Sequence, residues 1–246
     1  MINEVHQGDC LEVLRQIPDE SVDMILCDLP YGTTQCKWDT IIPFEPLWTE
    51  YRRVAKRNAA MVLTAAQPFT SVLIGSNLKE FKYTWVWEKS KATGYLNAKK
   101  MPMRAHEDVC VFYRKPPLYN PQMWESTPYN KGSAHRPTEV YGKQKEVLVK
   151  NDTGLRYPRT VQYFKTAESE GKVYHPTQKP IALFRYLIET YTNEGDVVLD
   201  SCLGAGTTAL AALSCNRRFI GIELDKKYVQ ISEDRIKELK IKLDLP

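Results

Sequence analysis

The sequence predicts an α/β domain built around a mostly parallel sheet and carrying an irregular basic insertion. Three observations lead there: short apolar runs alternate with helical patterns, a glycine turn joins one such run to a helix, and periodicity fades between residues 114 and 174.

Taken in order, Asp19-Glu20-Ser21 reads as a turn and Val22–Cys27 as a short apolar strand ending at Asp28. Leu47, Tyr51 and Val54 fall on one side of a helix, Ala59–Thr64 reads as a strand, and Phe69–Leu78 as a second helix. Tyr83–Trp87 and Val109–Tyr113 add two strands. From Arg114 to Tyr174, Pro116, Pro117, Pro121, Pro128, Pro137 and Pro158 interrupt a stretch rich in Lys, Asn, Gly and Tyr, which marks a binding region or small subdomain. Beyond Pro176 the pattern returns: a helix opened by Pro180, a strand at Val197–Leu199, a helix over 209–215, a strand at Phe219–Ile222 and a closing helix from Tyr228 to Leu239. Strands separated by helices imply βαβ units.

A chain of 246 residues, 43% hydrophobic with 14 Tyr, 5 Trp and 7 Phe, has enough apolar material for a core and is too aromatic for a disordered one. No apolar run reaches the roughly 18 residues that a membrane span needs, and Met1–Val5 lacks the basic start of a signal peptide, so an intracellular protein is expected. Cysteines at 10, 27, 36, 110, 202 and 215 and histidines at 6, 106, 135 and 175 form no close pair, so neither a disulfide framework nor a metal site is expected. The formal charge is only +4, but residues 114–174 hold eleven Lys/Arg against six Asp/Glu. A basic segment with interleaved aromatics favours a polyanion face.

Two constellations carry chemistry. The first is the turn Asp200-Ser201-Cys202-Leu203-Gly204-Ala205-Gly206-Thr207-Thr208, with Glu223 at the end of the following strand. Glycines let the backbone approach a ligand, and a carboxylate at that distance accepts ribose hydroxyls. The third glycine of the dinucleotide fingerprint is missing, no lysine stands at phosphate-loop spacing, and Asp200 would repel a pyrophosphate. A nucleoside-methionine cofactor, a dinucleotide and an ordinary sheet turn all stay open on these residues.

The second is Asp28-Leu29-Pro30-Tyr31, directly after the strand 22–27. Pro30 fixes its own φ and extends Leu29, which can turn the Leu29 carbonyl outward beside the Asp28 carboxylate. Two acceptors then face one point, where an exocyclic amino group has two N–H bonds to give, with Tyr31 as a stacking surface. The bland alternative is a loop cap with Tyr31 in the core. Open α/β sheets bind ligands beyond the carboxyl ends of their strands, so both constellations are expected in one crevice.

These residues resemble the beta-ordered amino-methylating DNA methyltransferases, whose catalytic motif (Asp/Asn/Ser)-Pro-Pro-(Tyr/Phe/Trp) matches Asp28-Leu29-Pro30-Tyr31 with Leu29 in place of the first proline. Asp200, Gly204 and Gly206 match the cofactor motif Asp-x-Phe-x-Gly-x-Gly, with Cys202 in place of Phe, and Glu223 matches the ribose acid. The segment His175-Pro176-Thr177-Gln178-Lys179-Pro180 is similar to the family's element around the methionine part. Gly8-Asp9-Cys10-Leu11 is similar to the element near the cofactor adenine.

The resemblance implies a single Rossmann-like methyltransferase fold with circularly ordered motifs: a catalytic part at 1–113, a target-recognition insertion at 114–174 and a cofactor-binding part at 175–246. It implies S-adenosylmethionine as cofactor, held by Asp9, Cys10, His175, Thr177, Lys179, Asp200, Cys202, Gly204, Gly206, Thr207 and Glu223, and catalysis by Asp28, Leu29, Pro30 and Tyr31. Lys99, Lys100, Arg104, Arg136, Lys143, Arg156 and Arg159 are the candidate DNA contacts. Asp at the head of the motif favours adenine N6 over cytosine N4 in double-stranded DNA. An RNA or protein-amide methyltransferase and a catalytically silent DNA binder are the other readings. A homodimer and a cytoplasmic setting in a prokaryotic or phage-infected cell, with or without a restriction partner, complete the expectation.

Overall fold

The computed structural model describes residues 1–34, 36, 39–134 and 147–244. They form two compact units, Met1–Asn120 with Thr160–Pro246, and Pro121–Arg159. Residues 114–120 and 160–174, expected within the insertion, therefore belong to the larger unit.

In chain order the larger unit contains β1 (Glu4–Gln7), α1 (Cys10–Leu14), β2 (Val22–Cys27), α2 (Phe44–Val54), β3 (Ala55–Ala65), α3 (Phe69–Ser76), β4 (Phe81–Thr93) and β5 (Arg104–Phe112). The smaller unit holds β6 (Trp124–Glu125), β7 (Tyr129–Ala134), β8 (Val147–Asn151) and β9 (Leu155–Arg156). The larger unit resumes with β10 (Val161–Phe164), α4 (Ile181–Tyr191), β11 (Val197–Asp200), α5 (Thr207–Ser214), β12 (Arg218–Glu223) and α6 (Lys226–Leu243).

Eight strands make one sheet in the order β1-β12-β11-β2-β3-β5-β4-β10. All neighbours are parallel except β5, which runs antiparallel to both β3 and β4. The central strands are apolar on both faces because both are covered. Ile25, Cys27, Met61 and Leu63 face a core with α1, α2 and α3, while Met24, Leu26, Ala60 and Val62 face one with α4, α5 and α6. The expected parallel α/β architecture is present.

Three features differ from the sequence reading. β4 runs on through Glu88-Lys89-Ser90-Lys91 without an apolar pattern, since its continuation is held by pairing: Glu88 with His106 of β5, Lys89 with Phe164 of β10, and, after a shift of register, Thr93 with Arg104 of β5. β10 arises in the aperiodic region and joins β4 in parallel. β1, a short edge strand of mixed composition, gave no period-two signal.

Parallel pairing brings the carboxyl ends of β1, β2, β3, β11 and β12 to one edge. Asp9, Asp28, Asp200 and Glu223 all fall there. Because β5 is reversed, its first half reaches the same edge, where Glu107 stands opposite Trp87. Within the smaller unit β6 pairs with β9 and β7 with β8, both antiparallel. Its β8–β9 turn is fixed by Asn151, which accepts from Gly154 N at 2.7 Å and donates to Leu155 O at 2.7 Å.

Candidate active site

A cavity of about 670 Å³ opens at this edge, within the roughly 300–1,000 Å³ usual for small-molecule sites. Asp28, Leu29, Pro30 and Tyr31 line it together with Asp200, Gly204 and Glu223, residues that start more than 160 positions apart in the chain. Asp9, Cys10, His175, Thr177, Lys179, Cys202 and Thr207 line it as well. Gly206 does not; it stands just behind, as the N-cap of α5.

The two turn glycines are required for different reasons. Gly204 has φ +55°, and a Cβ built on it would meet nothing within 4 Å. Gly206 has φ +87°, and its Cβ would press on Ser232 of α6, 3.0 Å from Cβ and 3.2 Å from Cα. The first keeps the wall of the cavity clear; the second lets α5 and α6 pack closely.

Gly204 N–H donates to Glu223 Oε2 at 2.7 Å and Asp225 N–H to Oε1 at 2.8 Å, which holds the carboxylate beside the turn. Asp200 is 2% exposed and accepts from Cys202 N–H at 3.0 Å and from the Thr208 hydroxyl. Burial pushes the Asp200 carboxyl up to about 6 and also raises that of Glu223. Among the described residues neither acid forms an ion pair. Cys27 turns away into the core, its Sγ 3.4 Å from Ser201 Oγ.

Asp9 caps α1, accepting from Leu11 N–H at 2.8 Å, and lines the cavity. His175 packs against Tyr228 at 4.4 Å between ring centres, and its Nδ1 accepts from Thr177 N–H at 3.2 Å. Burial lowers the His175 ring from its ordinary value.

Around Asp28 the structure assembles more than the sequence revealed. Asp28 Oδ1 accepts from the Tyr31 hydroxyl at 2.8 Å and from Thr64 Oγ1 at 2.5 Å. Lys179 Nζ donates to Oδ2 at 2.6 Å. Lys179 is buried, and it also approaches Glu107 Oε2 at 3.4 Å, while Lys89 pairs with Glu107 Oε1 at 2.5 Å. Two carboxylates and two ammonium groups thus alternate in one network. Burial alone would lower the Lys179 ammonium, but Asp28 and Glu107 outweigh it and raise the group. Burial would likewise raise Glu107, and Lys179 and Lys89 outweigh it, holding the carboxyl below its usual range. Tyr31 stacks on Phe69 at 5.0 Å and 19°, and burial with Asp28 and Glu107 keeps its phenol protonated.

Thr64, Lys89 and Glu107 were missed by sequence reasoning. They lie in strands whose register is set by long-range pairing, and no local motif marks them. Lys179, singled out for a cofactor, lines the cavity and pairs with both Asp28 and Glu107.

Of the candidate DNA contacts, Lys99, Lys100 and Arg104 are exposed on the larger unit, and Arg104 lines the cavity. Arg156 and Arg159 belong to the smaller unit. Arg156 lies over Tyr129, 4.6 Å from its ring centre, and donates to Gly154 O at 3.2 Å and to Thr127 O, so it braces that unit. Arg136 and Lys143 lie outside the described residues.

A sequence profile described as DNA methylase matches residues 22–234. The type II methyltransferase M.HindIII of Haemophilus influenzae is 25% identical, with 96% of each chain covered. The type II methyltransferase M.HinfI of Haemophilus influenzae is 26% identical over 97% of this chain and 69% of its own. Among solved structures, the M1.HpyAVI–SAM complex matches with a TM-score of 0.63 and 24% identity, covering 94% of this chain and 98% of that one. The cytosine-N4-specific PvuII DNA methyltransferase matches with a TM-score of 0.64 and 16% identity, covering 97% and 91%. The profile spans most of the chain, and the segments Asp28–Tyr31 and Asp200–Gly204 meet in one cavity: the protein belongs to the DNA methylase family of N6/N4 amino-methylating DNA methyltransferases.

Proposed function

We propose that the protein transfers a methyl group from S-adenosylmethionine to the N6 amino group of an adenine extruded from duplex DNA. The observation that carries this reading is the meeting of Asp28 and Tyr31 with Asp200, Gly204 and Glu223 around one cavity.

The residues fit such a cofactor. Asp200, buried, and Glu223, half-buried, have no cationic partner among the described residues, and the cavity is lined by eight carboxylates against Lys89, Arg104 and Lys179. That balance suits a ligand bearing positive charge and ribose hydroxyls, and disfavours a pyrophosphate. Glu223 would take the ribose, Asp200 and the His175–Thr177 segment the methionine end, and Asp9 and Cys10 the adenine end. When bound, the cofactor supplies an electrophilic methyl on a sulfonium.

The protein's own part is to prepare the nucleophile. An amino group conjugated to a base ring has a delocalised lone pair. A carboxylate has about four acceptor positions, and three on Asp28 are taken by Tyr31, Thr64 and Lys179. The remaining one, with the Leu29 carbonyl, accepts the two N–H bonds and lets the nitrogen pyramidalise. The ground-state amine is far too weak an acid to be deprotonated first. Its proton leaves once the nitrogen carries the methyl, with Asp28 within reach. A stacked base uses the Tyr31 face away from Phe69. Aspartate at the head of the motif supports adenine, and the basic residues of 114–174 support a duplex partner.

The test is transfer of label from methyl-tritiated S-adenosylmethionine to duplex DNA, RNA and total protein. Label in duplex DNA alone is expected. Label in RNA or protein in preference to DNA would move the activity to another substrate, and a shift of DNA mobility without label would indicate a silent binder.

A further inference from the structure

The β4–β5 hairpin carries a feature that the chemistry does not use. Its ladder ends at Thr93 opposite Arg104, and both residues line the cavity. Residues 94–103 between them stand at its rim and present Tyr95, Leu96, Met101 and Met103 to solvent, Leu96 at 97% and Tyr95 at 79% exposure. The tip is nonetheless ordered by its own backbone. Gly94 has φ +92°, Asn97 N–H donates to Gly94 O at 3.0 Å, and Lys100 N–H donates to Asn97 O at 2.8 Å. Apolar side chains so exposed add nothing to the core, and a cluster of them marks a contact surface.

The surrounding charge says what kind. Residues 89–106 contain Lys89, Lys91, Lys99, Lys100 and Arg104 and no Asp or Glu. Lys89 pairs with Glu107, and none of the other four forms an ion pair among the described residues. An apolar point ringed by cations fits a nucleic-acid duplex, which offers phosphates outside and stacked rings within.

We propose that this tip is a wedge: Leu96 and Tyr95 enter the duplex and fill the space left by the extruded nucleotide, while Lys99, Lys100 and Arg104 meet the flanking phosphates. The inference rests on reading the cavity as the receptor for a base taken out of duplex DNA. Extrusion gives up stacking and pairing, and an apolar side chain inserted at the gap returns part of that loss.

The test uses the full chain and a recognition site located by sequencing DNA that the wild-type protein has modified. Two duplexes are compared, one fully paired and one with an abasic position opposite the target. A Tyr95→Ala/Leu96→Ala variant is expected to unfold and bind cofactor as the wild type does. On the paired duplex it turns over about 10- to 100-fold more slowly, and on the abasic duplex it returns to within about threefold of the wild type. Equal turnover of variant and wild type on the paired duplex overturns the wedge, and so does an equal loss on both duplexes, which would assign the tip to simple affinity. If the wild type labels neither duplex, the methyltransferase reading fails and the wedge with it.

Discussion

Lys179 and Asp28 form a partly buried salt bridge of 2.6 Å, joining the segment before α4 to the end of β2 across 151 positions of sequence. Lys179 also reaches Glu107, so one ammonium ties the carboxylates of Asp28 and Glu107 to the segment before α4.

Removing that ammonium leaves Asp28 partly buried without its cation. Lys179→Met is expected to lower stability by about 3 kcal/mol and to reduce methyl transfer more than cofactor binding, with Lys179→Arg recovering part of both. Urea unfolding and calorimetry check this. Wild-type stability in Lys179→Met would show that the pair holds nothing together. Because the Lys179 ammonium is raised, its contribution is complete below about pH 10 and fades as pH climbs through the raised value.

Asp200 acts in the opposite sense. Its carboxyl is raised from 3.8 to about 6, so the folded protein binds a proton that the unfolded chain has released. Stability associated with this group is complete below about pH 3.8 and is lost as pH rises through about 6. The loss is on the order of 3 kcal/mol by pH 7. Asp200→Asn is therefore expected to make the ligand-free protein more stable at pH 7 and to weaken S-adenosylmethionine binding. In the wild type, affinity for the cofactor should fall as pH drops below about 6. A flat binding curve between pH 5 and about pH 8 would separate Asp200 from the cofactor.

The glycine pair predicts a contrast. Gly204→Asp projects a carboxylate into free space beside the cavity, so it should weaken cofactor binding by tenfold or more, on the order of 1.4 kcal/mol, with a folding cost of about 1 kcal/mol from the left-handed backbone at φ +55°. Gly206→Ala should do the reverse, since its Cβ meets Ser232 at 3.0 Å. Calorimetric titration alongside thermal melts resolves the two, and matching effects of both substitutions would contradict the distinction.

Much of the site was legible in sequence because it is local. Asp28 follows an apolar strand directly, and Gly204, Gly206 and Glu223 sit at a turn and a strand end whose chemistry is written within a few residues. Parallel topology then brought these turns to one edge without further information. Glu107, Lys89 and Thr64 were invisible for the converse reason: each is an ordinary residue in a strand, brought into the network around Asp28 only by the reversed β5 and its register with β3 and β4. The mixed face of β10 and the edge strand β1 lack any amphipathic signal, so their places in the sheet also emerge only from pairing.

The most direct measurement is mass-spectrometric nucleoside analysis of duplex DNA incubated with S-adenosylmethionine and either the wild type or Asp28→Ala, with cofactor affinity measured for both. The account predicts N6-methyladenine from the wild type, at least about 1,000-fold less from the variant, and cofactor dissociation constants that agree within about threefold. N4-methylcytosine as the product would move the target to the other base, and N6-methyladenine formed at wild-type rate by Asp28→Ala would contradict the role of the corner altogether.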